Sequence, residues 1–121
     1  MMRVMFVERE NGPERLACEA EIIFESESGP LAGMKLVGFS IWRSPEGEFY
    51  VTFPSRAFGA GTERRFFDFL RSAEGIAADA KRVKVWILDE YRRRLDVAAE
   101  DGRFASLHAA MEDGARAHGV A

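Results

Sequence analysis

The chain has 121 residues, 47% of them apolar, and a formal net charge of −3. This length and apolar content suit one folded unit with its own core, and no apolar run approaches the roughly 20 residues that span a bilayer. Cys18 is the single cysteine, so no internal disulfide can form. Together with His108 and His118 it cannot complete a closed zinc site, and a reducing cytoplasm is the expected setting. The stretch from Met1 to Glu10 includes Arg3, Glu8, Arg9 and Glu10, which is unlike a secretory leader.

In chain order, the first clear element runs from Leu16 to Glu25. Leu16, Cys18, Ala20, Ile22 and Phe24 alternate with Glu19, Glu21 and Glu25, the period of two of a half-buried strand. Cys18 reads as a small core residue, since no basic neighbour is placed to lower its pKa. Turn residues follow from Ser26 to Pro30. The run Met34–Arg43 sets Val37, Phe39 and Ile41 against Met34, Leu36 and Trp42, so both faces are apolar, as on a strand covered on two sides or near a partner.

Ser44-Pro45-Glu46-Gly47 is a tight turn, with proline fixing φ and glycine free to take positive φ, and alternation resumes from Phe49 to Phe53; the pair is a predicted hairpin. Pro54 closes that strand, because it has no N–H for a ladder. Ser55 to Glu63, with Gly59 and Gly61, is expected to be a mobile loop, and the segment from Arg65 to Leu70, dense in Phe66, Phe67 and Phe69, a returning last strand.

Beyond Gly75 the period lengthens. Ile76, Ala80, Val83, Ile87, Leu88, Tyr91 and Leu95 share an arc of about 140° at about 100° per residue, with Lys81, Arg82, Asp89, Arg92 and Arg93 opposite; this is a long amphipathic helix able to cover a sheet. Val85 and Trp86 fall outside the arc and are expected to be partly exposed or buried by another subunit. Asp101-Gly102 is expected to interrupt, with Phe104, Leu107, His108 and Met111 forming a second short helix. The predicted class is α+β, an antiparallel sheet of four or five strands packed by the helix from about Ile76 to Leu95. The domain division is 1–95, with a helical extension over 96–121.

The charge is unevenly spread. Between Pro54 and Arg94 ten basic residues face six acidic ones, a local +4 that leaves −7 for the rest. Such asymmetry is compatible with a basic face on an acidic body, or with an ordinary solvated surface. The glycines of the loop lack the spacing and the strand-to-helix context of a nucleotide site, but Arg56, running into Arg64 and Arg65, suits a finger that grips phosphate oxygens through planar guanidinium forks. Catalysis is not expected: both histidines lie in the last 14 residues, with no nucleophile set beside them. The adjacent pair Asp89 and Glu90 diverges on a helix and cannot grip one metal or proton. Aromatics such as Trp42, Tyr50 and Phe67 suit either a core or a platform for unpaired bases.

The run Gly47-Glu48-Phe49-Tyr50-Val51-Thr52-Phe53-Pro54-Ser55-Arg56, a glycine-led strand closed by Pro-Ser and a basic residue, resembles the central signature of the septation protein SpoVG family. Ala17 to Phe24 is similar to that family's early Ala-x-Ala-x-Ile-x-Phe strand, Phe67-Asp68 to its aromatic-Asp pair, and Val83, Ile87, Leu88, Glu90, Tyr91 and Arg92 to its helix. The likeness covers about three quarters of the chain, from Arg3 to Arg94. Ala80 stands where the family's helix begins with Arg, the stretch Arg71 to Asp79 differs, and Leu95 to Ala121 has no counterpart.

The resemblance implies a small sheet with a C-terminal helix, a homodimer, and a bacterial regulator that binds DNA, and in some members RNA, in connection with septation or sporulation. It places nucleic-acid contacts at Arg56, Lys81, Arg82 and Lys84. With the loop and helix arginines added, the expected contact set is Arg56, Arg64, Arg65, Lys81, Arg82, Lys84 and Arg92. No catalytic residue, metal, cofactor, small-molecule substrate or membrane is expected. The rival expectation is a protein-interaction module that uses Trp86, Val85 and the acidic strand face.

Overall fold

The computed structural model describes the backbone of residues 1–116 and the side chains of residues 1–102. The fold is α+β, as the sequence predicts. Four strands, β1 (Met2–Val7), β2 (Leu16–Phe24), β3 (Lys35–Arg43) and β4 (Phe49–Thr52), form an antiparallel sheet in the order β1-β2-β3-β4. Two more, β5 (Ser55–Phe58) and β6 (Arg65–Asp68), form a separate antiparallel ribbon, and one helix, α1 (Ala77–Arg116), follows. The segment from Ser55 to Phe58, expected as part of a loop, is therefore a strand, and β1 is a strand that no clear alternation marks in the sequence.

The chain divides into two compact units, Met1–Asp89 and Glu90–Ala121. In the first, Cys18, Ala20 and Ile22 of β2, Phe39 and Ile41 of β3, Val51 of β4 and Phe53 just beyond it form the buried core with Ile87 of α1. The register places Cys18 opposite Ile41, Ala20 opposite Phe39 and Ile41 opposite Val51. Directly opposed residues share a sheet face, so one face is apolar throughout and the start of α1 packs on it. The Phe39 and Phe53 rings meet edge to face at 5.5 Å, a favoured aromatic geometry.

Two bulges revise the expected alternation. Ala20 pairs with Phe39 and Ile22 with Leu36, so Glu21 faces both Val37 and Gly38. The extra residue exchanges the faces of β3: Leu36 comes opposite core-facing Ile22, and Val37, expected beside Phe39 and Ile41, is exposed. At the other end of β2 a second shift puts Leu16 opposite Trp42 rather than on the core face.

On the helix, the middle of the predicted arc is right. Ala80, Val83 and Leu88 are half-buried and Ile87 and Tyr91 buried, whereas Ile76 and Leu95 at its two ends are exposed. Val85 is exposed and Trp86 half-buried, as expected. The helix runs through Asp101 and Gly102 without interruption, so one helix replaces the expected two. A single interior glycine costs a helix only about 1 kcal/mol relative to alanine. The side chains of Phe104, Leu107, His108 and Met111, and all of His118 to Ala121, lie outside the described residues. No described helix is long and apolar enough to cross a membrane.

Candidate nucleic-acid interface

The ribbon begins where proline ends the sheet. Pro54 is buried, its carbonyl accepts a hydrogen bond of 2.8 Å from the Phe69 N–H, and the chain between these two residues folds out and back as β5 and β6. The turn at the far end depends on Gly59, whose φ is +81° and where an added Cβ would lie 2.6 Å from the Glu63 carbonyl oxygen. No side chain fits there. The two glycines thus shape a defined turn, with a short 3-10 segment at Gly61–Glu63.

Register then decides which side chains act together. Arg56 lies opposite Phe67 and Phe58 opposite Arg65, so these four residues share one ribbon face, the cations on one diagonal and the rings on the other. The Arg56 guanidinium sits 5.0 Å from the centroid of the Phe58 ring, and the Phe58 and Phe67 rings meet edge to face at 5.2 Å. The second face carries Ser55, Ala57, Phe66 and Asp68, with the Arg64 guanidinium 5.2 Å over the Phe66 ring.

These rings are not core. Phe58 is 46% exposed, Phe67 47%, Phe66 65% and Phe69 65%. Large aromatics bared side by side mark an interaction surface, unlike single exposed apolar residues. An open groove of about 500 Å³ is bounded by Phe58, Phe67, Asp68, Phe69 and Arg71. Behind the ribbon a second groove, of about 410 Å³, is shared with the outer face of the sheet through Trp42, Tyr50, Thr52, Phe66 and Asp68. There the Trp42 indole N–H donates to the Thr52 hydroxyl at 2.8 Å. Tyr50 and Phe67 are about half exposed and Trp42 half-buried, so these rings are available at the surface.

The remaining basic residues come from α1. Lys81 and Arg82 are exposed on its first turns, and the Lys84 ammonium lies 5.3 Å from the Phe53 ring centroid, close to where the chain leaves the sheet for the ribbon. Arg82 is already engaged: its guanidinium donates to the Asp79 carboxylate at 3.0 Å. The same carboxylate accepts a 2.6 Å hydrogen bond from the Ser72 hydroxyl, which itself accepts the Ile76 N–H at 3.0 Å. Ser72 foremost, then Arg82, hold the Asp79 carboxyl below the ordinary carboxylate range. Arg92 is exposed and belongs to the second unit.

Among the described residues none of Arg56, Arg64, Arg65, Lys81 and Lys84 is held in an ion pair. The N-terminal cations differ: Arg9 pairs with Glu19 at 3.0 Å, Lys35 with Glu21 at 3.1 Å and Arg3 with Glu25 at 3.8 Å. The acidic face of β2 is thus largely matched within the sheet, whereas among the described residues Arg56, Arg64 and Arg65 of the ribbon and Lys81 and Lys84 at the start of α1 are in no ion pair, and neither are Arg15 and Arg43 where β2 begins and β3 ends. Charge counting finds the cations but not their company. It does not single out the exposed Phe58, Phe66 and Phe69, although an Arg-x-Phe spacing on both sides of the glycine turn (Arg56 with Phe58, Arg64 with Phe66, Arg65 with Phe67) marks two of these rings and Phe67 as neighbours of the cations.

In comparisons with protein-family models, with curated proteins and with solved structures, the chain matches none.

Proposed function

We propose that the chain is a bacterial, cytoplasmic nucleic-acid-binding regulator of the SpoVG type that works by binding alone, as a homodimer, in septation, sporulation or gene regulation. One observation carries the reading: β5 and β6 present Arg56, Arg64 and Arg65, none held in an ion pair among the described residues, beside exposed phenylalanine rings. Cations left free on an otherwise acidic chain are what phosphate contact uses, and such contacts position a protein on nucleic acid without themselves reading sequence. Lys81, Arg82 and Lys84 add contacts from the start of α1. The likeness of Gly47 to Arg56 and of the helix residues to the SpoVG pattern supports the same reading.

A gel-shift series with random duplex and single-stranded oligonucleotides at two salt concentrations tests it. Binding that weakens steeply with salt supports phosphate contact. Salt-insensitive binding, or none, removes it.

The second reading is a protein-interaction module, favoured by the exposure of Val85 beside half-buried Trp86 on α1. The acidic strand face fits this role less well, since Glu19, Glu21 and Glu25 already face Arg9, Lys35 and Arg3.

A further inference from the structure

The ribbon face that carries Arg56, Phe58, Arg65 and Phe67 has a pattern that phosphate contact alone does not require. Along each strand a cation and a ring alternate at second-neighbour positions, about 6–7 Å apart, and across the strands each cation stands opposite a ring. A single nucleic-acid strand offers the complementary alternation, charged phosphates and flat apolar bases. In a duplex the bases are already stacked and paired, and the ring faces cannot reach them without unstacking. Resting on the nucleic-acid reading above, we propose that this face is a stacking platform for unpaired bases, with Phe58 and Phe67 against the bases and Arg56 and Arg65 against the flanking phosphates.

Three observations support that assignment over a purely electrostatic one. Phe58 and Phe67 are 46% and 47% exposed although they touch each other edge to face at 5.2 Å, so their contact holds the rings in place without covering them. The Arg56 guanidinium already lies over the Phe58 ring, and a planar guanidinium is itself a surface on which a base stacks. The adjoining groove is lined by Phe58 and Phe67 together with Phe69 and Arg71, so a further ring and a further cation border the platform. Asp68 borders that groove but pairs across the ribbon with Ser55, on the other face, so the four platform residues include no carboxylate.

The test uses the full chain and one mixed-sequence DNA oligonucleotide, unpaired or annealed to its complement, with binding followed by fluorescence anisotropy. Phe58→Leu and Phe67→Leu keep apolar bulk while removing the aromatic face, and circular dichroism melts check that the fold is retained. The expected result is tighter binding of the single strand than of the duplex. Each leucine variant should weaken single-strand affinity about tenfold, a typical value for one stacked base, with the salt slope and duplex binding unchanged. Equal affinity for both forms, or leucine variants that bind the single strand like the wild type, overturns the platform and leaves the phosphate-contact reading standing. Variants that lose self-association in sedimentation together with binding would make the ring patch a protein interface and also overturn it. A wild type that binds neither form overturns the nucleic-acid reading itself.

Discussion

Gly38 and Pro54 compete for the same space: a Cβ added to Gly38 would lie 2.8 Å from the Pro54 Cβ, and Gly38 holds a φ of +101°. The bare glycine in the β3 bulge is therefore what lets the proline seat against the sheet at the point where the chain departs for the ribbon. Gly38→Ala combines an unfavourable backbone conformation with a clash, and should cost about 2–4 kcal/mol in denaturant melts. A cost below about 0.5 kcal/mol would mean that the bulge relaxes freely.

The two isoleucines of the predicted helix arc separate burial from pattern. Ile87 is fully buried and Ile76 is 47% exposed. Ile87→Ala should cost about 2–5 kcal/mol and Ile76→Ala less than about 1 kcal/mol. Tyr91→Ala, at a buried position of the second unit, should cost about 3 kcal/mol. Equal effects at Ile76 and Ile87 in urea or guanidinium unfolding would place the helix in the wrong phase.

The same contrast shows how much the sequence discloses. The alternation of Cys18, Ala20 and Ile22, the Ser44 to Gly47 turn and the helix phase around Ile87 are legible because burial imposes a period of two or of 3.6. Val37 is misplaced by that reasoning because a bulge exchanges faces without any mark in the pattern except Gly38. The ribbon is half legible: the strand expected from Arg65 to Leu70 matches β6, while β5 and the exposure of the rings stay hidden for a related reason. Gly59 and Gly61 signal a loop, and phenylalanine is usually inside, so a strand pair that leaves Phe58 and Phe67 bare contradicts both signals. Charge alone finds the arginines of the candidate interface, whereas their alignment with the rings depends on the register of β5 with β6.

Asp79 links the start of α1 to pH. Its carboxyl is held below the ordinary range, chiefly by the Ser72 hydroxyl and then by Arg82. The ionised form therefore favours the folded state. This contribution is complete above the ordinary carboxylate range and is lost as pH falls through the lowered folded value. Ser72→Ala should move the Asp79 titration, followed by NMR, upward toward the ordinary range, and Asp79→Asn should flatten the acid limb of the stability profile. An Asp79 titration unchanged in Ser72→Ala would contradict the assigned cause.

Self-association is expected at micromolar concentration. Met34 and Val37 are exposed around β3, Val85 is exposed on α1, and β1 and β4 are sheet edges, which invite pairing when left open. Sedimentation equilibrium should give twice the chain mass of 13.6 kDa. A monomer at all accessible concentrations would exclude the homodimer.

The most direct test of the central claim, that the free cations of the ribbon carry the function, is the salt dependence of nucleic-acid affinity in the triple variant Arg56→Gln, Arg64→Gln, Arg65→Gln. Because the chain is acidic overall, binding must rest on short contacts within about one Debye length, ~8 Å at physiological salt. Removing one cation from a phosphate should reduce the log-log salt slope on duplex DNA by about 0.9. The account predicts weaker binding and a slope flattened by up to about three such steps, with the melting transition retained. It also predicts little change when Arg3, Arg9 and Arg15 are neutralised, since Arg3 and Arg9 already face Glu25 and Glu19. Equal affinity and equal slope in the two triple variants would contradict the account and favour the protein-interaction module.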